Sequence, residues 1–281
     1  MAKDARASLK PSDYVHLHNH TQFSLLDGLT RVGPLMDFTK EHGMEAVAMT
    51  DHGKLSGAIE FYKEATARGI KPIIGIETYV AARKHTDKDP QKDKVRYHLI
   101  LLAMNMQGYQ NLMKLSTIAN LDGFYYYPRI DHDLLKQYNE GIIALSGCMS
   151  GEVGSALKED QYDQAKKIAE WYKSVFGDRY YLELQDHGHP DNLLASSEQQ
   201  RINEGILKLG KELDIPVVLT CDAHYLHHED QDAHEILLCI GTGSYLSDEN
   251  RMTLKDFPLH VVPPAELIER WGKDHPEVIT N

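Results

Sequence analysis

Short apolar segments alternate with helix-like segments along most of this chain, and that alternation limits the folds it can adopt. Seven segments have the length and composition of buried strands, and several are apolar on both faces, as covered parallel strands are. They span residues 14–20, 45–52, 71–81, 97–104, 141–148, 179–186 and 215–224. Strands that alternate with helices predict a parallel sheet, and this number of units favours a closed or nearly closed α/β barrel.

Helices are predicted between the strands from two sets of apolar residues that recur at helical spacing. These are Ile202, Ile206, Leu209 and Leu213 in one segment, and Ala165, Ile168, Ala169 and Tyr172 in another. Gly43, Gly69 and Gly177 each stand a few residues before a predicted strand. Glycine suits the left-handed position that ends many helices, so we expect helix ends at these three sites.

The formal net charge of the chain is -12 at pH 7. This argues against a broad basic surface for nucleic acid, because Lys and Arg supply most of the non-specific affinity for phosphates. If DNA is the substrate, we expect metal ions or other chains to contribute to its binding.

Three regions of the chain are expected: an N-terminal arm at 1–12, a metal-binding barrel at 13–228, and a C-terminal helix with a connector segment at 229–281.

The cysteines Cys148, Cys221 and Cys239 form no CxxC pair, so they indicate neither a disulfide framework nor a zinc ribbon. Cys221 and Cys239 are interpreted as buried structural thiols, whereas Cys148 follows a glycine at a strand end and could be a thiolate ligand.

No apolar run approaches membrane-spanning length, and residues 1–11 lack the apolar core of a signal peptide. We therefore expect a cytoplasmic protein without a membrane partner.

Two further segments lie outside the strand and helix pattern. The charged, proline-containing segment 83–94 is predicted to be a mobile surface loop. The aromatic run 124–127 is equally typical of core packing, of a lid, or of a surface on which bases stack.

Residue types that bind metals stand at the ends of several predicted strands. In a strand at 14–18, His16 and His18 would project to the same side and could hold one divalent ion together. The other candidates at strand ends are His52, Glu77, Cys148, Asp222 and His224. Functional residues of barrel enzymes gather at the C-terminal ends of the strands. The sequence therefore predicts a metal site at that end of the barrel.

Seven motifs between residues 14 and 260 together resemble the polymerase and histidinol phosphatase (PHP) domain family and occur in that family's order. They are HLHNHTQFSLLDG, MTDHG, KPIIGIETYV, HLILLA, LSGCMSGEV, LELQDHG and TCDAHYL. The resemblance is strongest to the N-terminal PHP domains of bacterial replicative DNA polymerase III alpha subunits. It implies a distorted seven-stranded (β/α) barrel, followed by a connector, GTGSYLSDENRM, toward a polymerase palm outside this chain.

The resemblance also implies two to three divalent metal ions, with zinc favoured and manganese or iron as alternatives. The implied ligand sets are His16, His18, Glu77 and Asp222 for one ion, Glu77, His98 and Cys148 for a second, and Asp27, His52 and His224 for a third. His98 stands at the start of its predicted strand, where strand reasoning alone indicates a structural residue. Asp27 precedes Gly28, a pair that by itself indicates a turn.

The activity that the resemblance implies is metal-dependent 3′–5′ exonuclease action on a DNA 3′ end, as in proofreading. Glu77, Asp222 and His224 would act through metal-activated water. The implied partners are the remainder of the polymerase alpha subunit and a proofreading subunit. Two other functions stay open: a non-catalytic, metal-stabilised module that docks other parts of the polymerase, and a free-standing phosphoesterase for small molecules.

Four more residues are candidates for substrate contact. His20 and His187 adjoin the implied metal ligands and could bind a substrate phosphate or orient a ligand. Arg129 and Tyr225 are further candidates for contact with phosphate. The histidines predicted to lie at the surface are His42, His85, His132, His227, His228, His260 and His275.

Overall fold

A curled, mixed β-sheet surrounded by helices forms the frame of the protein. The computed structural model describes residues 9–187 and 193–281. Within them the strands are β1 Ala46–Met49, β2 Lys71–Ala81, β3 Arg96–Ala103, β4 Phe124–Tyr125, β5 Tyr127–Ile130, β6 Ile142–Leu145, β7 Tyr180–Gln185 and β8 Val217–Thr220. The α-helices are α1 Val32–Glu41, α2 Ala58–Ala67, α3 Met106–Leu121, α4 His132–Gln137, α5 Glu152–Lys158, α6 Tyr162–Phe176, α7 Leu193–Leu213, α8 Gln231–Thr242, α9 Pro264–Trp271 and α10 Glu277–Thr280.

The strands follow the order β4-β5-β2-β3-β6-β7-β8, and β1 pairs in parallel with the first part of β2. Residues 16–20 connect the two ends of this curled sheet. The amide of Ala48, in β1, donates to the carbonyl of His16 at 2.9 Å, and the amide of His20 donates to the carbonyl of Ala223, just after β8, at 2.7 Å. The α/β fold with a distorted barrel is confirmed.

Two details of the predicted sheet are wrong. β3 runs antiparallel to both β2 and β6, because the connection between β2 and β3 contains no helix that would return the chain for a parallel pairing. Residues 14–20 do not form a regular strand: the backbone bends at His18, and the segment contributes only an isolated bridge between Asn19 and Ala223. The side-chain amide of Asn19 donates to the carbonyls of His16 and Ala48, which fixes the bend.

The predicted helices and their ends are observed. The two apolar stripes lie in α6 and α7. Gly43 and Gly69, which follow α1 and α2, both have φ of +74°, a conformation that costs glycine little and other residues more. These tight endings return the chain directly to β1, which His52 follows, and to β2, which contains Glu77.

The C-terminal region packs against the barrel. Val262, Leu267 and Ile279 belong to the same buried apolar cluster as the barrel strands and helices. The side-chain amide of Asn281 donates to the carbonyl of Val217 in β8 at 2.9 Å. The predicted boundaries at 12 and 228 stay a prediction, and residues 1–8 of the arm lie outside the described residues. In the described part of the chain, no helix has both the length and the apolar character needed to span a membrane.

Candidate metal centre

Glu77 occupies the middle of the candidate site. Its side chain is buried in β2, with Oε1 2.9 Å from Nδ1 of His98 and Oε2 2.5 Å from Nδ1 of His52. Burial alone would raise the pKa of this carboxyl, but the neighbouring His98 and His52 outweigh it and hold the pKa well below its usual value. Each oxygen of Glu77 therefore faces a different imidazole, as in a carboxylate that bridges two cations.

The first ligand group combines Glu77 with His98 and Cys148. Because β3 is antiparallel, its first residues reach the same rim as the C-terminal ends of the parallel strands, which explains why His98 is in the site. The Sγ atom of Cys148 is 3.7 Å from Nδ1 of His98, and one ligand atom from each of the three residues lies within 4.8 Å of the others. Burial, with the charges of Asp222 and Glu77, raises the pKa of the Cys148 thiol well above its usual value. A bound divalent cation would reverse that field and favour the thiolate.

The second ligand group consists of His18, His20 and Asp222. Oδ1 of Asp222 lies 3.0 Å from Nε2 of His18 and 3.2 Å from Nε2 of His20. The two Nε2 atoms are 3.3 Å apart, and both side chains are fully buried. Three ligand atoms thus converge on one small volume. Oε1 of Glu77, 3.4 Å from Nε2 of His18, adjoins them.

His16 does not belong to this group, contrary to the prediction that His16 and His18 hold one ion together. Its Nε2 atom hydrogen-bonds the carbonyl of Val262 at 2.9 Å, and its ring meets Tyr14 edge-on. The prediction assumed an uninterrupted strand, but the bend at His18 breaks the alternation of faces. His20, predicted only as a neighbour of the ligands, takes the position beside His18.

The third ligand group brings Asp27 to His52 and His224, as the resemblance implied. Oδ2 of Asp27 is 2.6 Å from Nε2 of His52 and 3.4 Å from Nε2 of His224. The ring of His20 stacks between these two imidazoles, at centroid distances of 4.1 and 4.2 Å. The third group therefore shares His20 with the second, and all three groups form one contiguous cluster.

The donor atoms of this cluster fit divalent cations. The polar neighbours of the buried Oε2 of Glu77 and Oδ1 of Asp222 are the imidazole nitrogens described above, and among the described residues no Lys or Arg forms an ion pair with Glu77, Asp222 or Asp27. Buried anionic oxygens without such compensation are costly. Burial lowers the pKa of His52, but Glu77 and Asp27 raise it to about 10. The field of the site thus strongly favours positive charge, and imidazole, carboxylate and thiol groups are ligands for zinc and neighbouring metals.

The sequence comparisons agree with this arrangement. A family model described as PHP domain matches residues 16–187. The chain belongs to the PHP domain family.

Relatives of this PHP domain are longer proteins named DNA polymerase III subunit alpha. The chain is 44% identical over 271 residues to the DNA polymerase III subunit alpha of Borreliella burgdorferi, covering 96% of this chain and 23% of that protein. It is 43% identical over 258 residues to the corresponding subunit of Thermus aquaticus, covering 90% of this chain and 21% of that protein. The chain thus spans less than a quarter of these relatives' length.

Among solved structures, an amidohydrolase from Chromobacterium violaceum aligns with this PHP domain with a TM-score of 0.50. The two are 12% identical, and the alignment covers 75% of this chain and 87% of the other. At that identity the likeness concerns the fold alone, and it agrees with the distorted barrel.

Two of the predicted phosphate contacts have structural roles in this PHP domain. The buried guanidinium of Arg129 donates to the backbone carbonyls of Gly123, Asp93, His85 and Asp87, so it fastens the 83–94 loop instead of facing the site. The hydroxyl of Tyr225 accepts from the amide of Leu259 at 3.0 Å, and the ring is buried. Both predictions failed because sequence position alone does not reveal backbone acceptors that already satisfy a polar side chain.

A cavity of about 200 Å³ opens above the metal ligands. His187 lies on its wall, with Nε2 2.9 Å from Oε1 of Gln185 and Nδ1 buried without a partner. The apolar part of the wall comes from the C-terminal region, with Met252, Leu254, Phe257 and Leu259, and the ring of Phe257 meets that of His187 edge-on at 5.7 Å. The placement of His187 agrees with its prediction as a neighbour of the site, and the apolar wall was not predicted.

Two residues that the sequence analysis did not predict contact the ligands and hold them in position. Oε1 of Glu183 accepts a hydrogen bond from Nδ1 of His18 at 2.7 Å. His234, buried in α8, places Nε2 3.9 Å from Oδ1 of Asp27. Glu183 carried a usable signal, since it is a carboxylate between two leucines of a predicted buried strand. His234 carried none, because only the folded chain brings α8 to the loop that contains Asp27.

Proposed function

We propose that this PHP domain is a metal-dependent phosphodiesterase that removes nucleotides from a DNA 3′ end, as the PHP portion of a bacterial DNA polymerase III alpha subunit. The proposal assigns DNA as substrate, the remainder of the alpha subunit and a proofreading subunit as partners, and the cytoplasm as its location. The relatives named DNA polymerase III subunit alpha support the placement within a polymerase. The metal centre supports the hydrolytic activity.

The position of Glu77 carries the proposal. Its two oxygens lie 2.9 Å from His98 and 2.5 Å from His52, so one carboxylate reaches two ligand groups. Adjacent cation sites bridged by one carboxylate are typical of enzymes that hydrolyse phosphate esters. We assign His18, His20, Asp222 and Glu77 to one ion, Glu77, His98 and Cys148 to a second, and Asp27, His52 and His224 to a third.

When bound, divalent ions would polarise the phosphate and generate a nucleophile from water near neutral pH. The residues of the chain would orient the ligands and shape the cavity. Glu183 fixes the ring orientation of His18 through Nδ1 and leaves Nε2 toward the shared volume. His224 is held in the same way, because its Nδ1 donates to the carbonyl of Asp222 at 2.8 Å. Met252 and Phe257 add apolar surface to the cavity, where water displaced by a bound substrate would leave stronger charge interactions.

The test measures metal content and hydrolysis in the same preparations. We expect two to three metals per chain by inductively coupled plasma mass spectrometry, and shortening of a 5′-labelled primer that has a mismatched 3′ end. The Glu77→Gln variant should lose most of both. The matched control Glu212→Gln changes an exposed carboxylate on α7 and should lose neither. Metal-loaded protein that leaves such primers intact would contradict the proposal.

A non-catalytic, metal-stabilised module is the second candidate. The observation that favours it is the origin of the ligands, which come from the chain segments around residues 18–27, 52, 77, 98, 148 and 222–224, so metals would cross-link most of the barrel. In that case Asp222→Asn should lower the melting temperature while no nuclease activity exists to be lost. A free-standing phosphoesterase is separated from both by a screen that compares small phosphomonoesters with oligonucleotides.

A further inference from the structure

A guanidinium without a partner lies at the rim beside the metal centre. Arg96 forms no ion pair and no side-chain hydrogen bond with any residue that the structure describes, and its Nε atom is buried. Its Cζ atom lies 3.5 Å from the ring centroid of Tyr127 and 5.5 Å from that of Tyr79. This cation therefore packs against two aromatic rings, and no carboxylate in the described part of the chain pairs with it.

The strand register leads from the metal ligands to this cation. Glu77 and Tyr79 share one face of β2, and His98 and Arg96 share the matching face of β3, because side chains two apart lie on the same side. Tyr79 pairs with His98 in the antiparallel register, so the next step on each strand leads outward to the rim. The ring of Tyr79 is parallel to that of His52 within 15°, at 5.9 Å. Aromatic contacts thus connect the metal ligands with Tyr127.

The hairpin of β4 and β5 continues this surface outward. Tyr125 and Tyr127 are paired, and Tyr126 alone turns the chain between them with φ of 61°. A bulky residue in that conformation is strained, and such strain concentrates at functional positions. The ring that it presents is 64% exposed. The hairpin is firmly seated, because Pro128 packs so closely on the loop after His52 that a Cβ at Gly53 would lie 2.8 Å from it.

We propose that Arg96, Tyr127 and Tyr126 form a subsite for the single-stranded 3′ end of DNA, an assignment that rests on the proposed function. The guanidinium would pair with a backbone phosphate, and the tyrosine rings would stack on unpaired bases. A single strand suits this surface better than a duplex, because its bases have free faces. The free cation also provides local attraction on a chain whose net charge is -12.

The test measures binding without hydrolysis. A 5′-fluorescein, phosphorothioate-linked oligothymidylate of about ten nucleotides is titrated with the metal-loaded chain, and anisotropy gives Kd at several salt concentrations. Arg96→Met should weaken binding about tenfold and reduce the salt slope by about 0.7, the value for one phosphate on a single strand. Arg96→Lys should keep the slope with intermediate affinity. Lys167→Met, which removes one exposed charge on α6, should match the unmodified chain.

A second variant guards against misfolding. Tyr126→Asn removes the exposed ring but keeps a residue that tolerates positive φ, so the hairpin should fold at least as well. It should weaken binding several-fold with an unchanged salt slope. Metal content and melting temperature are recorded for each variant. The subsite is wrong if the unmodified chain shows no salt-dependent binding, or if both Arg96→Met and Tyr126→Asn bind as it does. Primer shortening plays no part in this measurement, so failure of catalysis and failure of the subsite are distinguishable.

Discussion

Nδ1 of His18 donates to Oε1 of Glu183 across 2.7 Å, and both side chains are fully shielded from solvent. Oε1 also accepts from the hydroxyl of Thr220 at 2.5 Å and from the amide of Gln185 at 3.0 Å. Burial lowers the pKa of His18, but Asp222 and Glu183 outweigh it and raise that pKa well above its usual value. Glu183 therefore fixes both the orientation and the basicity of an imidazole whose other nitrogen faces the candidate metal sites.

We predict that Glu183→Ala lowers zinc affinity by a factor of about 10 to 100, the usual effect of removing such a support. Glu183→Gln should lose less, since an amide oxygen can still accept from His18. Competition with a chromophoric chelator measures the affinity. Equal affinities for Glu183→Ala and the surface control Glu212→Gln would show that Glu183 has only a structural role.

Alanine substitutions of two histidines in the same motif should affect the metal content differently. His20→Ala should reduce the metal content, because Nε2 of His20 lies 3.2 Å from Oδ1 of Asp222. His16→Ala should retain the metals but lower the free energy of unfolding by about 1–3 kcal/mol, because it leaves the buried carbonyl of Val262 without its hydrogen bond. Metal analysis and urea denaturation of the two variants test this pair. Loss of metal from His16→Ala with retention in His20→Ala would support the predicted pairing of His16 with His18.

These histidines show what the sequence could and could not establish. The alternation of strands and helices predicted the barrel, and metal-ligand residue types at strand ends predicted where the site would lie. Alternation of faces failed at His18, because a hydrogen-bonded bend is invisible in a pattern that assumes regular strands. A second assumption, that all strands are parallel, misplaced His98, because the antiparallel β3 brings this residue to the rim where the other ligands lie.

Supporting residues were harder to predict than ligands. Glu183, His234 and the wall formed by Met252 and Phe257 depend on contacts between segments far apart in sequence. Local propensity and periodicity do not identify such contacts, although a carboxylate between two leucines of a predicted strand indicated some polar role for Glu183. Arg129 failed for the opposite reason, since its residue type suits both phosphate and backbone carbonyls, and only the fold decides between them.

Acid should weaken the contacts between Glu235 and residues 251–254, which belong to the segment that lines the cavity. Burial raises the pKa of Glu235, but the amide of Leu254, the hydroxyl of Thr253 and the guanidinium of Arg251 outweigh it and hold that pKa below its usual value. A carboxyl with a lowered pKa contributes stability above its unfolded pKa of about 4.3, and this contribution is lost as the pH falls through the folded value.

We therefore predict that the free energy of unfolding of metal-free protein falls less steeply between neutral pH and about pH 3 in Glu235→Gln than in the unmodified chain. At neutral pH the variant should already be less stable, because the ion pair with Arg251 is absent. Urea denaturation at a series of pH values measures both effects. Parallel pH profiles for the two proteins would show that Glu235 is not the group responsible.

Arg129 offers a prediction about stability without involvement of the metal centre. Its guanidinium reaches four backbone carbonyls, and three of them lie in the 83–94 loop, at His85, Asp87 and Asp93, at 2.9, 2.7 and 3.0 Å. Lysine keeps the charge but cannot satisfy this planar set of acceptors, so Arg129→Lys should lower the free energy of unfolding by about 2–4 kcal/mol. The loop should also become sensitive to limited trypsin digestion at Lys88, Lys92 and Lys94. The Arg68→Lys control, at an exposed ion pair with Asp37, should change stability by less than about 1 kcal/mol. Similar stability losses in the two variants would contradict a structural role for the Arg129 contacts.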